Sequence, residues 1–266
     1  MTDFTVVIPA RFASTRFEGK PLALIGDKPM LQHVHERAIE AGASAVIIAT
    51  DDDRIKQVAE GFGADVCMTS THHQSGTTRI AEVIAIRKIK DHEIVVNVQG
   101  DEPFIPPENI RQVADNLNRL HHYPMATLCY PIDETEDVLN PNIVKVVKSL
   151  GGKALYFSRA PIPFARGHMN LNAQGCLQID TLPSSSETQK TQSTPSYFRH
   201  IGIYGYRANF VTTFSEMGDS TLERYESLEQ LRVLEYGFDI HIEVATGAPP
   251  HGVDTPEDLA RLNQSC

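Results

Sequence analysis

The sequence predicts an α/β fold built on a doubly wound, mostly parallel sheet. Three short runs rich in β-branched residues, 4–8, 45–49 and 94–98, lack the polar alternation of a strand with one wet face. Parallel strands that are covered on both faces have this composition. Helix-like stretches separate the runs, and strand–helix alternation is typical of a doubly wound sheet. In such a sheet, ligands bind at the carboxyl ends of the strands.

Four helices are predicted in the first half of the chain, over 29–41, 54–60, 78–90 and 107–120. The first begins at Pro29, a residue favoured in the first turn of a helix, and its apolar residues recur at helical spacing. These helices complete the alternation with the three predicted strands. We therefore assign residues 1–125 to an α/β core.

The pattern changes after about residue 125 to extended pieces bounded by prolines, which predict a smaller mixed lobe over 126–210. Within the lobe, 167–196 is rich in Ser, Thr, Gln and Asn and poor in apolar residues, so we predict a mobile surface loop. A third segment, 211–266, returns to the core. It is predicted to contain a helix over 221–236, a strand over 241–245 and a helix from 254 to 263.

Composition and charge exclude several classes of protein. The chain is 41% hydrophobic and 22% charged, and no apolar run reaches the roughly 20 residues of a membrane helix. A formal net charge of −10 argues against sequence-independent binding to nucleic acid. The chain opens without the basic region of a signal peptide, and its four cysteines lack zinc-type spacing. We expect a cytoplasmic protein with no membrane or nucleic-acid partner.

A cluster of basic residues, Arg11, Arg16 and Lys20, follows the first predicted strand. At this position a βα loop can neutralise a triphosphate through backbone N–H groups and charge-assisted hydrogen bonds. The loop matches neither the phosphate-binding loop of nucleotide hydrolases nor the dinucleotide-binding pattern. By spacing alone, a solvated surface cluster is the alternative.

The segment P-A-R-x-x-S-T-R-x-x-x-K-P at 9–21 resembles the signature loop of the CMP-3-deoxy-manno-octulosonate (CMP-Kdo) synthetase family. The resemblance continues in the same order along nearly the whole chain, with ATDDDRI at 49–55, HQSGTTRIAEV at 73–83, VNVQGDEPFI at 96–105, ALYFSRAPIP at 154–163, FRHIGIYGYR at 198–207, LEQLRVLEYG at 228–237 and GVDTPEDL at 252–259.

This resemblance implies a nucleotide-diphospho-sugar transferase-like fold and a magnesium-dependent cytidylyltransferase. Its substrates would be CTP and Kdo, its products CMP-Kdo and pyrophosphate, and its role the supply of activated Kdo for lipopolysaccharide biosynthesis. The resemblance also implies a homodimer assembled through the smaller lobe. The chemistry expected is direct in-line attack by the anomeric hydroxyl of Kdo, without a covalent enzyme intermediate.

The same resemblance assigns the phosphates of CTP to Arg11, Ser14, Arg16 and Lys20, with Arg11 and Lys20 stabilising the charge that develops during transfer. It adds five residues to the nucleotide pocket: Gln74, Ser75, Gly76, Arg79 and Gln99. By pattern alone, the stretch around Ser75 is equally a turn and helix cap. Which group recognises cytosine is left open.

Asp101 follows the predicted strand 94–98 and suits Mg²⁺, a hard cation that takes one or two carboxylates together with phosphate oxygens. The resemblance makes Asp101 a catalytic residue and a metal ligand, and makes Asp254 the second ligand. By pattern alone, Asp254 before Thr255 and Pro256 is better interpreted as a helix N-cap.

For the sugar acid, Arg159 is a natural partner of a carboxylate because its planar guanidinium binds both oxygens. The resemblance adds His200, Tyr204, Glu229 and Gln230 as contacts to the sugar hydroxyls. Each of these four also has a plain structural interpretation, as a strand, core or helix-surface residue.

Two features depart from the family pattern. The pair Phe17-Glu18 stands where a smaller or uncharged pair is more usual, and we expect Glu18 to face solvent because it would repel a triphosphate. The stretch 167–196 is longer than its counterpart. Alternative functions are CMP transfer to a related acidic sugar, such as 8-amino Kdo or a sialic acid, and a catalytically silent nucleotide-binding module. Retention of Asp101 and Asp254 argues against the silent module.

Overall fold

The structure is a computed structural model that describes residues 2–13, 17–73, 75–166, 168–172, 177–179, 197–249, 252–253 and 255–265. The chain forms two compact units. The first comprises Met1–Ala126, Gly202–Met217 and Thr246–Cys266, and the second comprises Thr127–Ile201 and Gly218–Ala245. The first unit thus includes 202–210 of the predicted smaller lobe, together with 211–217 and 246–266 of the segment that was predicted to return to the core.

The elements of the first half are, in chain order, β1 (Phe4–Ala10), a 3-10 turn (Lys20–Leu22), β2 (Leu24–Ile25), β3 (Lys28–Pro29), α1 (Met30–Glu40), β4 (Ala45–Thr50), α2 (Asp53–Gly61), β5 (Asp65–Met68), α3 (Gly76–Arg87), β6 (Ile94–Asn97) and α4 (Pro107–Arg119). The remaining elements are β7 (Met125–Pro131), α5 (Thr135–Leu139), β8 (Lys145–Lys148), β9 (Ala154–Ser158), β10 (Met169–Leu171), β11 (Leu177–Ile179), β12 (Phe198–Arg207), α6 (Ala208–Glu216), α7 (Thr221–Glu226), α8 (Gln230–Glu235), β13 (Ile240–Val244) and α9 (Pro256–Ser265).

Parallel strands form the centre of the first unit. β1 pairs in parallel with β4 on one side and with β6 on the other, and β5 extends the sheet beyond β4. Residues 204–207 of β12 add an antiparallel strand beside β6. The side chains of Val7, Ile48 and Val96 are 0% exposed, as expected for strands covered on both faces. The predicted fold class and the three predicted strands are confirmed.

The four helices predicted for the first half are confirmed as α1 to α4, with boundaries that shift by at most three residues. α4 lies close against β12, where Gly205 faces it. A Cβ at Gly205 would lie 2.6 Å from Val113 Cγ1 and 3.0 Å from Leu117 Cδ1, so only glycine allows this close approach. No helix among the described residues is long and apolar enough to span a membrane.

The second unit has the mixed character that the sequence predicts for this region. β8 and β9 are antiparallel, β8 pairs with β12 at Arg199, and β7 lies between β12 and β13. A small hydrophobic core supports this arrangement, formed by Ile132, Val138, Ala165, Met169 and Tyr197.

Two predictions for the later chain differ from the structure. The single helix predicted over 221–236 is wrong: α7 ends at Glu226, the next residue Ser227 has a left-handed φ of 52°, and α8 begins at Gln230. The predicted mobile loop 167–196 lies mostly outside the described residues. Its described part includes β10 and β11, which pair as an antiparallel hairpin.

Candidate functional site

An ion pair at the carboxyl edge of the parallel sheet joins Lys20 and Asp101. Lys20 begins the 3-10 turn after the basic loop, and Asp101 follows β6. Lys20 Nζ donates to Asp101 Oδ2 at 2.7 Å and to the carbonyl of Val253 at 2.9 Å. The two side chains are 12% and 36% exposed, so the pair is accessible on the carboxylate side. Two of the three predicted catalytic residues are therefore brought together.

The predicted metal site is described at one of its two carboxylates. The N–H of Val253 donates to the main-chain oxygen of Asp101 at 3.1 Å, which holds the segment 252–253 against Asp101. Asp254 is the next residue in the chain and lies outside the described residues. No cluster of three or more metal-ligating side chains occurs in the described ranges. The carboxylate of Asp101, whose side chain is 36% exposed, nevertheless fits Mg²⁺, which takes oxygen ligands and completes its shell with phosphate and water.

The basic loop presents an exposed cation directly after β1. Arg11 is exposed. Its Nη1 lies 3.5 Å from the carbonyl oxygen of His73, which makes a long and weak hydrogen bond. Ser14 and Arg16, the other predicted phosphate contacts of the loop, lie outside the described residues. Glu18 is exposed, which confirms that it faces solvent.

The start of α3 lies beside the ends of β1 and β6. Ser75 caps the helix, since its Oγ accepts the N–H of Thr78 at 3.2 Å. A Cβ at Gly76 would lie 3.4 Å from Pro9 Cγ and 3.8 Å from Asn97 Nδ2, so the helix approaches both strands closely. A capped helix start carries partial positive charge and favours an anion nearby. Gln74 lies outside the described residues.

Asn97 is a polar residue that sequence analysis missed. It ends β6, is 2% exposed, and its Oδ1 accepts a hydrogen bond from Gln99 Nε2 at 3.4 Å. Tyr204 of β12 pairs opposite Asn97, so this predicted sugar contact belongs to the first unit with the nucleotide candidates. An asparagine that interrupts an apolar strand just before Gln99 is the sequence signal that could have identified it.

Arg79 lies in the interior of the first unit. Its side chain is 1% exposed, its Nη2 donates to Asp51 Oδ2 at 2.7 Å, and its Nη1 donates to Thr69 Oγ1 at 2.5 Å. These bonds tie α3 to the ends of β4 and β5. Burial and these bonds give Arg79 a positioning role in the first unit, and its predicted contact with the nucleotide stays a prediction.

Arg159 follows β9 in the second unit and is held by main-chain carbonyls. Its Nε donates to the carbonyl of Glu226 at 2.7 Å, and its Nη1 donates to the carbonyl of Pro141 at 3.0 Å. Carbonyls orient a guanidinium without neutralising its charge. The side chain is partly exposed, so it can still meet a carboxylate.

Glu226 is a second residue that sequence analysis missed. Its carboxylate accepts from Ser158 Oγ at 2.6 Å and from the N–H of Arg159 at 2.9 Å. Side chain and carbonyl of Glu226 together fix the residue pair at the end of β9. The sequence does not indicate this contact, because Glu226 lies 67 residues from Arg159, in a helix whose sequence suggests an exposed position.

His200 lies in the part of β12 that belongs to the second unit. Its Nε2 is 3.0 Å from Thr127 Oγ1, and its ring meets that of Phe157 edge-on at 5.0 Å. Desolvation by burial lowers the pKa of His200 to about 3. The ring is therefore neutral at physiological pH and offers hydrogen bonds rather than a charge to any sugar.

Gln230, the first residue of α8, carries a donor with no partner in the described part of the chain. Its side chain is 4% exposed, and no acceptor lies within hydrogen-bonding distance of Nε2. Leaving a buried donor unsatisfied costs about 1–3 kcal/mol, so a ligand hydroxyl or water is expected there. Glu229, directly before it, is partly buried.

Residues 5–240 match the model of the cytidylyltransferase family. Curated relatives named 3-deoxy-manno-octulosonate cytidylyltransferase are similar along almost their whole length. The chain is 58% identical to that of Alteromonas mediterranea over 260 residues, which cover 98% of each chain. It is 52% identical to that of Pasteurella multocida over 263 residues, again covering 98% of each.

Solved structures give the same picture. A CMP:2-keto-3-deoxy-manno-octonic acid synthetase complexed with CTP is 37% identical, has a TM-score of 0.83, and is matched over 99% of this chain and 98% of its own. A cytidylyltransferase of Leptospira borgpetersenii, at 16% identity and a TM-score of 0.59 over 99% of this chain and 86% of its own, is similar in fold alone.

The low pKa of His200 predicts a dependence of stability on pH. The unfolded chain binds a proton at this residue below about pH 6.5, whereas the folded chain does so only near pH 3. The free energy of unfolding therefore falls as pH drops through this window. We expect wild type to lose roughly 1–2 kcal/mol more than His200→Gln between about pH 7 and pH 5 in urea titrations.

His72→Gln is the control for this measurement, because His72 is exposed. It should lose as much stability as wild type over the same range. A His200 ring that titrates near its ordinary pKa in NMR spectra would contradict the burial argument.

Proposed function

Since the chain belongs to the cytidylyltransferase family, we propose that it transfers the cytidylyl group of CTP to 3-deoxy-manno-octulosonate, giving CMP-Kdo and pyrophosphate. The observation that carries the proposal is the ion pair of Lys20 and Asp101 at the carboxyl edge of the sheet. Its support comes from relatives named 3-deoxy-manno-octulosonate cytidylyltransferase, one of which is 58% identical over 98% of the chain. The product fits a role in lipopolysaccharide biosynthesis.

The proposed reaction is a single in-line displacement. The anomeric hydroxyl of the sugar forms a bond to the α-phosphorus of CTP as the bond from that phosphorus to the bridging oxygen of the β-phosphate breaks. The hydroxyl proton is released, and the bond electrons leave with pyrophosphate. Catalysis then depends on holding the reactants in line and on stabilising the charge of the leaving group.

Residues of the first unit supply the positive charge that would stabilise the leaving group. The exposed guanidinium of Arg11 and the ammonium of Lys20 lie where the loop after β1 reaches the sheet edge, and the start of α3 adds its partial positive charge. We assign the triphosphate to this edge. Ser14, Arg16 and Gln74 complete the assignment on the resemblance of the sequence motifs.

Asp101 would hold Mg²⁺ with one carboxylate oxygen, while the other stays bonded to Lys20. Asp254 is proposed as the second ligand. When bound, the ion supplies Lewis-acid polarisation of phosphate oxygens. Lys20 fixes the orientation of Asp101 and compensates its charge before any ligand arrives.

We assign the sugar to the candidates of the second unit. Arg159 would pair with the carboxylate of Kdo, because its guanidinium is oriented by carbonyls and keeps its charge. The unpaired amide donor of Gln230 and the neutral ring of His200 suit sugar hydroxyls. Tyr204 and Glu229 are proposed as further contacts on the sequence resemblance.

We further infer a cytoplasmic homodimer. Large apolar side chains are exposed in the second unit, among them Leu150, Leu155, Phe164, Leu171 and Tyr225. Exposed apolar side chains of this size are typical of a protein interface where they adjoin one another. Light scattering after gel filtration should give twice the chain mass of 29.5 kDa. The single chain mass at micromolar concentration would contradict the dimer.

Pyrophosphate release tests the proposed function directly. Purified protein with CTP, Mg²⁺ and Kdo should release pyrophosphate, whereas ATP, GTP or UTP in place of CTP should give little. Asp101→Asn should lower kcat at least about 100-fold with the fold intact, because it removes an ionic ligand and the partner of Lys20.

Asp115→Asn is the matched control, because Asp115 is exposed on α4 of the same unit. It should retain wild-type turnover. Faster turnover with 8-amino Kdo or a sialic acid than with Kdo would transfer the proposal to that sugar. Release with none of these acids would favour a silent nucleotide-binding module.

Arg159→Lys tests the sugar assignment. Lysine keeps the charge but has one nitrogen, so it cannot bind both carboxylate oxygens. We expect KM for Kdo to rise roughly 10- to 100-fold while KM for CTP stays nearly constant. Arg224→Lys, at an exposed arginine of α7, should change neither. An equal rise in both KM values would remove Arg159 from the sugar pocket.

A further inference from the structure

A fully buried lysine lies in the second unit, outside every assignment made above. Lys145, the first residue of β8, is 0% exposed. Lysine is almost never fully buried unless its ammonium group is paired, because removing that group from water is costly. Such a residue requires a physical reason for its position.

The ammonium group of Lys145 is hydrogen-bonded to main-chain carbonyls of the turn 140–143. Its Nζ donates to the carbonyls of Asn140 and Ile143, each at 2.7 Å. The turn is closed further by the N–H of Ile143, which donates to the Asn140 carbonyl at 3.2 Å. Lys145 thus fixes both ends of the turn.

The middle of the same turn faces Arg159. The carbonyl of Pro141 accepts from Arg159 Nη1 at 3.0 Å, between the two carbonyls that Lys145 binds. β8 and β9 pair in antiparallel register with Lys145 opposite Ser158, which places the lysine beside the residue before Arg159. One turn therefore connects the two cations.

We propose that Lys145 is a positioning residue that sets the affinity for the sugar acid, by holding the turn 140–143 whose Pro141 carbonyl orients Arg159. The inference rests on the proposed function, because it takes Arg159 as the partner of the Kdo carboxylate. Without the ammonium group, the turn loses the bonds at its ends and Arg159 loses a fixed acceptor. The guanidinium then samples more orientations, and capture of the carboxylate weakens.

Electrostatics supports this geometry. Desolvation is the main cause that lowers the pKa of Lys145 to about 8, the charge of Arg159 acts in the same direction, and the charge of Glu226 opposes both. Arg199 of β12 pairs with Lys145 in backbone register. Lys145, Arg159 and Glu226 together carry a net positive charge, which a bound carboxylate would compensate.

Lys145→Met tests the proposal, since methionine is similar in size and has no donor. We expect KM for Kdo to rise about tenfold and KM for CTP to stay within about twofold. Lys145→Arg, which keeps the charge and donors, should recover part of the loss. Lys148→Met is the matched control on the same strand, where the ammonium group lies 5.4 Å from the ring of Phe198. It should leave both KM values unchanged.

The pH dependence of KM separates positioning from a purely structural role. In wild type, KM for Kdo should rise above about pH 8 as Lys145 loses its proton. In Lys145→Met the profile should be flat at the raised value. If Lys145→Met does not fold, the wild-type profile and Lys145→Arg decide: a flat wild-type profile overturns the proposal.

Two further outcomes are informative. Equal increases in both KM values, or an unchanged KM for Kdo in a folded Lys145→Met, would overturn the positioning role while the proposed function stands. Formation of CMP-Kdo by the wild-type enzyme is measured first. If none forms, the proposed function is overturned, and with it the premise of this inference.

Discussion

Parallel pairing of β1 with β6 is the constraint on which the nucleotide half of the site depends. The pairing continues past the strands, since the N–H of Val98 donates to the carbonyl of Val7 at 3.2 Å. A Cβ at Gly100 would lie 3.1 Å from the carbonyl oxygen of Pro9, so the segment after β6 lies very close to the end of β1. A basic loop leaves one strand and a carboxylate follows the other. Close approach of the strand ends therefore makes the salt bridge of Lys20 with Asp101 possible across 81 residues of sequence.

The parts of this fold that could be predicted from sequence are those set by local pattern. Runs such as 94–98 are apolar because both faces are covered, and the periodicity of 29–41 reflects one buried helix face. The prediction of one helix over 221–236 was wrong because the spacing of apolar residues continues across Ser227. The left-handed backbone at Ser227 interrupts the helical hydrogen bonds, which the spacing does not show. The site residues also differ in whether a local pattern could predict them. Lys20 and Asp101 follow predicted strands, so their approach to one sheet edge could be predicted. Glu226 and Asp51 act through distant partners that no local pattern reveals.

Lys145 and Arg159 of the second unit donate to main-chain carbonyls, and for Arg159 this kind of partner has a consequence for selectivity. A carboxylate partner would neutralise Arg159 and remove its attraction for an acidic ligand. Carbonyls of Pro141 and Glu226 orient the guanidinium and leave its charge in place. The Glu226 carboxylate is bonded instead to Ser158 and to the main-chain N–H of Arg159. A neutral sugar would leave that charge uncompensated, so the proposed preference for an acidic sugar follows from the partners of Arg159.

Glu18 lies near a cation of the first unit. Arg54 of α2 lies over the ring of Phe12, with its Cζ 3.3 Å from the ring centroid. A Cβ at Gly19 would lie 3.2 Å from the same ring, so the loop is closely packed here. Hydrogen bonding to Asp52 raises the pKa of Arg54, and the charge of Glu18 adds to that effect. Glu18 is thus electrostatically coupled to a cation outside the loop. Arg54 is itself bonded to Asp52, so the loop can carry Glu18 chiefly because this carboxylate is exposed. Water and salt screen an exposed charge, and Arg11 and Lys20 can therefore still attract an anion at the sheet edge.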